Sequence, residues 1–100
     1  MPRPCRRLSA LARQDIRGIA RTSRAQWGKE RADRYNRSLN AAFDHLAAYP
    51  EIGSERPDIG DDIMLFTIER HDVLYRVQPD GVLIVRVIHQ RMDLGGVALI

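Results

Sequence analysis

The hydrophobic rhythm of this chain changes once, and the change divides it into a helical half and a stranded half. Leu8, Leu11, Ala12, Ile16, Ile19, Ala20 and Trp27 recur at intervals of three or four, as the apolar stripe of one helix does, with Arg13, Arg17, Arg21 and Arg24 elsewhere on the wheel. Ser9 stands before the stripe, where its hydroxyl can accept one of the free N–H groups of the first turn. Gly28 interrupts the pattern. It restarts as Ala32, Tyr35, Leu39, Ala42, Phe43, Leu46 and Ala47, until Pro50 disfavours helical geometry at Tyr49. The spacing predicts two helices joined by a tight turn.

Pro50 to Asp62 reads PEIGSERPDIGDD, with two prolines, two glycines and five acids and no periodicity, which is the composition of an exposed connection. Beyond it the text is that of strands, in residues 62–69 (DIMLFTIE), 72–78 (DVLYRVQ) and 82–89 (VLIVRVIH). Pro79-Asp80-Gly81 closes a hairpin between the last two. Val73, Tyr75 and Val77 alternate with Leu74, Arg76 and Gln78, the pattern of a sheet covered on one side, and this predicts Tyr75 in the core. Arg3 to Leu8 is too short for a helix and suits an edge strand. The expected fold is therefore α+β in the order βααβββ, a helical hairpin packed on a small antiparallel sheet, with residues 1–100 as a single domain.

Composition agrees with one domain: 100 residues with 44% apolar content can bury roughly 60 to 65% of their unfolded surface. Cys5 is the single cysteine, so no internal disulfide forms, and no CxxC or Cys/His cluster suggests a metal. No stretch approaches the about 18 apolar residues of a membrane span, and the expected location is the cytoplasm. The net charge of +3 is unevenly placed, because residues 1–50 hold 11 Lys and Arg against 4 Asp and Glu, while residues 51–100 hold 5 against 9. A basic half invites a nucleic-acid reading, but the arginines recur all around the helices and an acidic half shares the domain.

Candidate chemistry is sparse. His45, His71 and His89 have no ligand spacing. His71 suits a turn and His89 a strand end, beside which a catalytic role stays open for either. No serine has a neighbouring histidine or an elbow motif, and Asp61-Asp62 are adjacent in sequence and not paired across a substrate. Trp27, Tyr35 and Phe43 fall on apolar stripes, where aromatics usually pack. Arg70, Arg76 and Arg86 on or beside the strands could form a row of cations for phosphate, and a solvated face explains them equally well.

Three segments taken together are specific: WGKERADRYNRSLNAAFDHLAAYPEIG at Trp27 to Gly53, HDVLYRV at His71 to Val77, and RVIHQRMD at Arg86 to Asp93. In this order they resemble the ParE family of the RelE/ParE toxin-antitoxin superfamily, over most of residues 8–93. The resemblance implies the toxin of a type II toxin-antitoxin system, often a plasmid-stabilising pair. It implies a protein that inhibits DNA gyrase by direct binding, is not an enzyme, needs no cofactor, and forms a hetero-oligomer with a ParD-like antitoxin. DNA contact would come only through that antitoxin. RelE-type ribosome-dependent mRNA endoribonucleases share the fold but use basic and tyrosine side chains on later strands, whereas here no Lys follows Lys29 and no Tyr follows Tyr75. Endoribonuclease activity is thus the alternative reading, and a non-toxic antitoxin-binding module is a third. Gly60-Asp61-Asp62-Ile63 departs from the aromatic or basic residues common at this point in the family, a departure that bears on toxicity and not on the fold.

Two candidate surfaces follow. Leu11, Ile19, Trp27 and Leu39 would line an apolar groove that receives the antitoxin. Arg86, His89, Gln90, Arg91 and Met92, where cations meet an apolar side chain as the last strand ends, would contact the target. On this reading deletion of residues 90–100 spares antitoxin binding and relieves gyrase inhibition. The competing reading is that Arg86 and His89 merely complete the sheet and residues 90–100 are a frayed tail.

Overall fold

The computed structural model describes residues 4–90 and 94–99. In chain order its elements are β1 (Cys5–Leu8), α1 (Ala10–Trp27), α2 (Lys29–Ala48), a 3₁₀ turn at Pro50–Ile52, β2 (Ser54–Glu55), β3 (Met64–Ile68), β4 (His71–Gln78), β5 (Gly81–His89) and a 3₁₀ turn at Leu94–Gly96. The five strands form one sheet in the order β1-β5-β4-β3-β2.

Both helix boundaries expected from the sequence have a local cause. The Ser9 hydroxyl accepts from Ala12 N at 3.0 Å and donates to the carbonyl of Val85 at 2.7 Å, so one side chain caps α1 and ties its start to β5. Gly28 ends α1 and begins α2 at φ 85°, ψ 168°, a region open to glycine and closed to residues with a Cβ. Its N–H donates to Arg24 O and its carbonyl accepts from Ala32 N, so the one glycine closes the last turn of α1 and opens the first of α2.

The order βααβββ is present with two additions. β1 pairs with β5 in parallel, making the sheet mixed, because the chain crosses over through both helices before the sheet is built. Gly81 faces the backbone of Cys5, leaving no room for a Cβ. The short β2 pairs with β3 at the opposite edge.

Between Leu74 and Tyr75 of β4 the pairing with β5 shifts by one residue, since Leu74 faces Arg86 while Tyr75 faces Ile84. This bulge reverses which side of the sheet the following residues meet. Val82, Ile84 and Val87 consequently join one core, with Val73, Tyr75 and the Leu39, Phe43 and Leu46 stripe of α2. Leu74, Val85 and Ile88 join Ile63 in a second core on the opposite face, against which Leu94, Val97 and Leu99 pack. The expectation of a sheet covered on one side is corrected here: helices cover one face, and the connection before β3 with the C-terminal segment covers the other. Leu94, Val97 and Leu99 thus pack against the sheet, which overturns the reading of this segment as a frayed tail.

Tyr75 lies in the helix-side core with no exposed surface. Its hydroxyl donates to Pro50 O at 2.8 Å and accepts from Gly53 N at 3.0 Å, which fastens the turn after α2 to the middle of the sheet.

Candidate partner-binding groove

Where α1 gives way to α2, the half-buried Trp27 packs edge-on against Tyr35, with ring centroids 6.5 Å apart. The two-residue turn between β3 and β4 lies beside it. Glu69 occupies the left-handed region at φ 51°, and Arg70 lays its guanidinium over the Trp27 ring at 4.7 Å from the centroid. Beneath them the Tyr35 hydroxyl and His71 Nδ1 share a hydrogen bond of 2.6 Å, and the rings of the cross-strand partners His71 and His89 meet edge-on at 5.5 Å. Burial, reinforced by His89 nearby, lowers the pKa of His71 below that of a free imidazole, and burial raises that of Tyr35. A neutral imidazole therefore joins α2 to the start of β4.

The Trp27–Arg70 pair separates two hollows. One, of about 420 Å³, runs between α1 and the strand ends and is lined by Asp15, Ile19, Ser23, Trp27, His71 and His89 among others. The other, of about 270 Å³, opens on the far side of Trp27 between α2 and the β3–β4 turn, where Arg31, Arg34, Ser38 and Glu69 join Arg70.

Of the residues expected to receive an antitoxin, Ile19 and Trp27 line the first hollow. Leu11 is half-buried on α1 and lines neither. Leu39 must be withdrawn from that surface: it is 1% exposed and packed in the helix-side core, so no partner reaches it in the folded chain. Of the residues expected to meet a target, His89 lies in the same hollow as Ile19 and Trp27, and Gln90 is exposed beside it. Arg91 and Met92 lie outside the described residues.

Arg86 is corrected as well. Its Nε and Nη2 donate to the two oxygens of Asp15 at 2.7 and 2.9 Å, and its Nη1 donates to Ala98 O at 2.7 Å. Both side chains of the pair are 15% exposed, so the guanidinium is committed within the fold. The three strand arginines form no row, with Arg70 on Trp27, Arg76 donating to Asp61 O at 3.2 Å and Arg86 on Asp15. Asp62, in the acidic pair, sits in the left-handed region at φ 59°, which Asp tolerates better than most residues.

Sequence reasoning passed over Asp15, which also accepts from Val87 N at 3.0 Å. The available signal was an acid next to Ile16, on the same helical face as Ala12 and Ile19. Among the described residues no group of three or more His, Cys, Asp or Glu converges as metal ligands would, and no helix is long and apolar enough to cross a membrane.

Comparison with known proteins matches this architecture to one family. The family model for the ParE toxin of type II toxin-antitoxin systems matches residues 6–94. Toxin ParE1 of Mycobacterium tuberculosis is 35% identical over 88 residues, covering 87% of this chain and 90% of that protein. Toxin ParE of Escherichia coli is 31% identical over 88 residues, covering 87% and 85%. A solved chain from the chromosomal ParDE toxin-antitoxin system of P. aeruginosa superposes with a TM-score of 0.74 over 87% of this chain and 96% of that one, and at 18% identity it speaks to the fold. A helical hairpin on this mixed sheet, with the sequence match running through nearly all of both, makes the chain a member of the ParE toxin family of type II toxin-antitoxin systems.

Proposed function

We propose that this ParE-type toxin acts in the cytoplasm by binding DNA gyrase, without catalysis of its own, and is neutralised by a ParD-like antitoxin seated in the groove at Ile19 and Trp27. The observation that carries the reading is the groove itself. An exposed hollow with an apolar wall, held open between α1 and the strand ends, is the kind of surface into which an extended or helical partner segment packs.

Non-catalytic action is supported by how the candidate reactive groups are used. His71, 8% exposed, bonds inward to Tyr35, and Arg86 bonds to both oxygens of Asp15 and to Ala98 O. A general acid or a phosphate clamp needs a group presented to substrate, and these two are turned to holding the fold. His89 shares the groove with Ile19 and Trp27, which supports neutralisation by occupancy: an antitoxin lying there covers a residue proposed to meet the target.

The test is induction of the chain with and without the adjacent gene, scoring growth and plasmid supercoiling. Growth arrest with altered supercoiling, relieved by the adjacent gene, is the expected result. Ribosome-dependent transcript cleavage would replace gyrase binding with the endoribonuclease reading, and harmless expression would leave only antitoxin binding.

A further inference from the structure

On α2, Arg31, Arg34 and Ser38 follow one another at intervals of three and four, along the edge of the buried Tyr35–Leu39 stripe, so their side chains stand in a row on one side of the helix. The β3–β4 turn brings Arg70 against the same hollow from the opposite wall. Three arginines and Ser38 thus line about 270 Å³ of open space, with Glu69 as the one acid among the described residues that line it. Little holds these cations back. Arg31 makes no ion pair among the described residues. Arg34 approaches Glu30 only to 3.9 Å, both side chains being largely exposed, an arrangement of small energetic consequence.

We propose that this hollow is a carboxylate anchor, which takes one or two acidic side chains of a partner polypeptide whose apolar residues continue past Trp27 into the hollow at Ile19. The inference rests on the reading that the groove receives a partner, and adds the chemistry that partner must carry. Guanidinium forks match carboxylates in geometry as well as charge. A polypeptide is favoured over a nucleic acid by two features. Arg70 already covers the Trp27 face, so the ring is not free to stack a base as single-strand binders require. The cations are also local and are followed by a mainly apolar hollow instead of further cations, whereas a nucleic-acid backbone is held by many phosphate contacts in series.

Selection of a random phage-displayed peptide library on the full-length chain tests this directly. Enriched peptides are expected to carry Asp or Glu close to apolar residues. Their affinity by fluorescence anisotropy should fall roughly tenfold or more in Arg34→Glu and in Arg31→Glu, and by a similar factor when the peptide's acids become amides. Circular dichroism melting keeps loss of fold apart from loss of binding. Enriched peptides without acids, affinity indifferent to both arginine variants, no enrichment at all, or tighter arginine-dependent binding of a short single-stranded DNA would each overturn the anchor. Binding that survives Arg34→Glu but is lost in Ile19→Gln would leave the groove reading standing without the anchor. Binding indifferent to both would remove the two together.

Discussion

Asp15 and Arg86, 71 residues apart in sequence, close on each other through two parallel hydrogen bonds and clamp the middle of α1 to β5 beside its bulge. Asp15 also accepts from Val87 N, and Arg86 reaches on to Ala98 O, so one pair holds a helix, a strand and the C-terminal segment. The pair raises the Arg86 pKa further above its ordinary value, chiefly through the side-chain hydrogen bonds.

Breaking this pair from either side leaves a largely buried charge without its partner. Asp15→Ala and Arg86→Ala are each expected to cost about 2 to 4 kcal/mol, the cost depending on the remaining solvent access. The double variant should lose clearly less than the two single losses combined. Arg86→Ala should additionally speed hydrogen exchange in residues 94–99. Urea unfolding and exchange mass spectrometry check these outcomes, and additive losses with unchanged exchange would contradict the clamp.

At Tyr75 the hydroxyl and the ring are separable. Tyr75→Phe removes the bonds to Pro50 O and Gly53 N and is expected to cost about 1 to 2 kcal/mol. Tyr75→Ala adds a cavity in the helix-side core and should cost about 3 to 5 kcal/mol. Equal losses in denaturant titrations would mean that the ring contributes nothing beyond its hydroxyl.

The buried His71 gives the chain a pH dependence of definite sign. Its folded pKa lies below the unfolded one, because burial and His89 disfavour the imidazolium. The unfolded state therefore binds the proton first as pH falls. Stability should be level above the unfolded histidine value of about 6.5 and decline as pH drops through the range beneath it. Melting temperature followed from about pH 7.5 to about pH 5 should show this decline, and His71→Asn should flatten it at the expense of the Tyr35 bond. A wild-type melting point that rises as pH falls would refute the assignment.

Truncation after Gln90 cannot separate target contact from folding, because Leu94, Val97 and Leu99 cover Leu74, Val85 and Ile88. The shortened chain is expected to be less stable by about 2 kcal/mol or more and to bind a hydrophobic dye such as ANS. An unchanged melting curve would restore the reading of residues 94–99 as a frayed tail. His89→Ala, in the groove wall, probes target contact on the proposed reading: it should weaken gyrase inhibition in a supercoiling assay by more than its own stability loss, read from the melting temperature, accounts for, since its ring also packs against His71.

Local order was legible in the residues themselves, because it depends on neighbours along the chain. The stripes of α1 and α2, the Ser9 cap, the glycine break at Gly28, the helix stop at Pro50 and the burial of Tyr75 all follow from spacings of a few residues. The order βααβββ and the family resemblance come from the succession of those segments. What tertiary structure decided lies at contacts between distant segments. The bulge in β5 is a matter of register with β4, and it alone moves Val87 to one face and Val85 and Ile88 to the other. Arg86 read as a surface cation until Asp15 arrived from 71 residues away. Leu39 shared the apolar rhythm of Ile19, yet a helical stripe is wider than the surface it buries, and only packing assigns Leu39 to the core and Ile19 to the groove wall. Periodicity sets which side of an element is apolar, whereas the element packed against it decides which of those residues remain within reach of a partner.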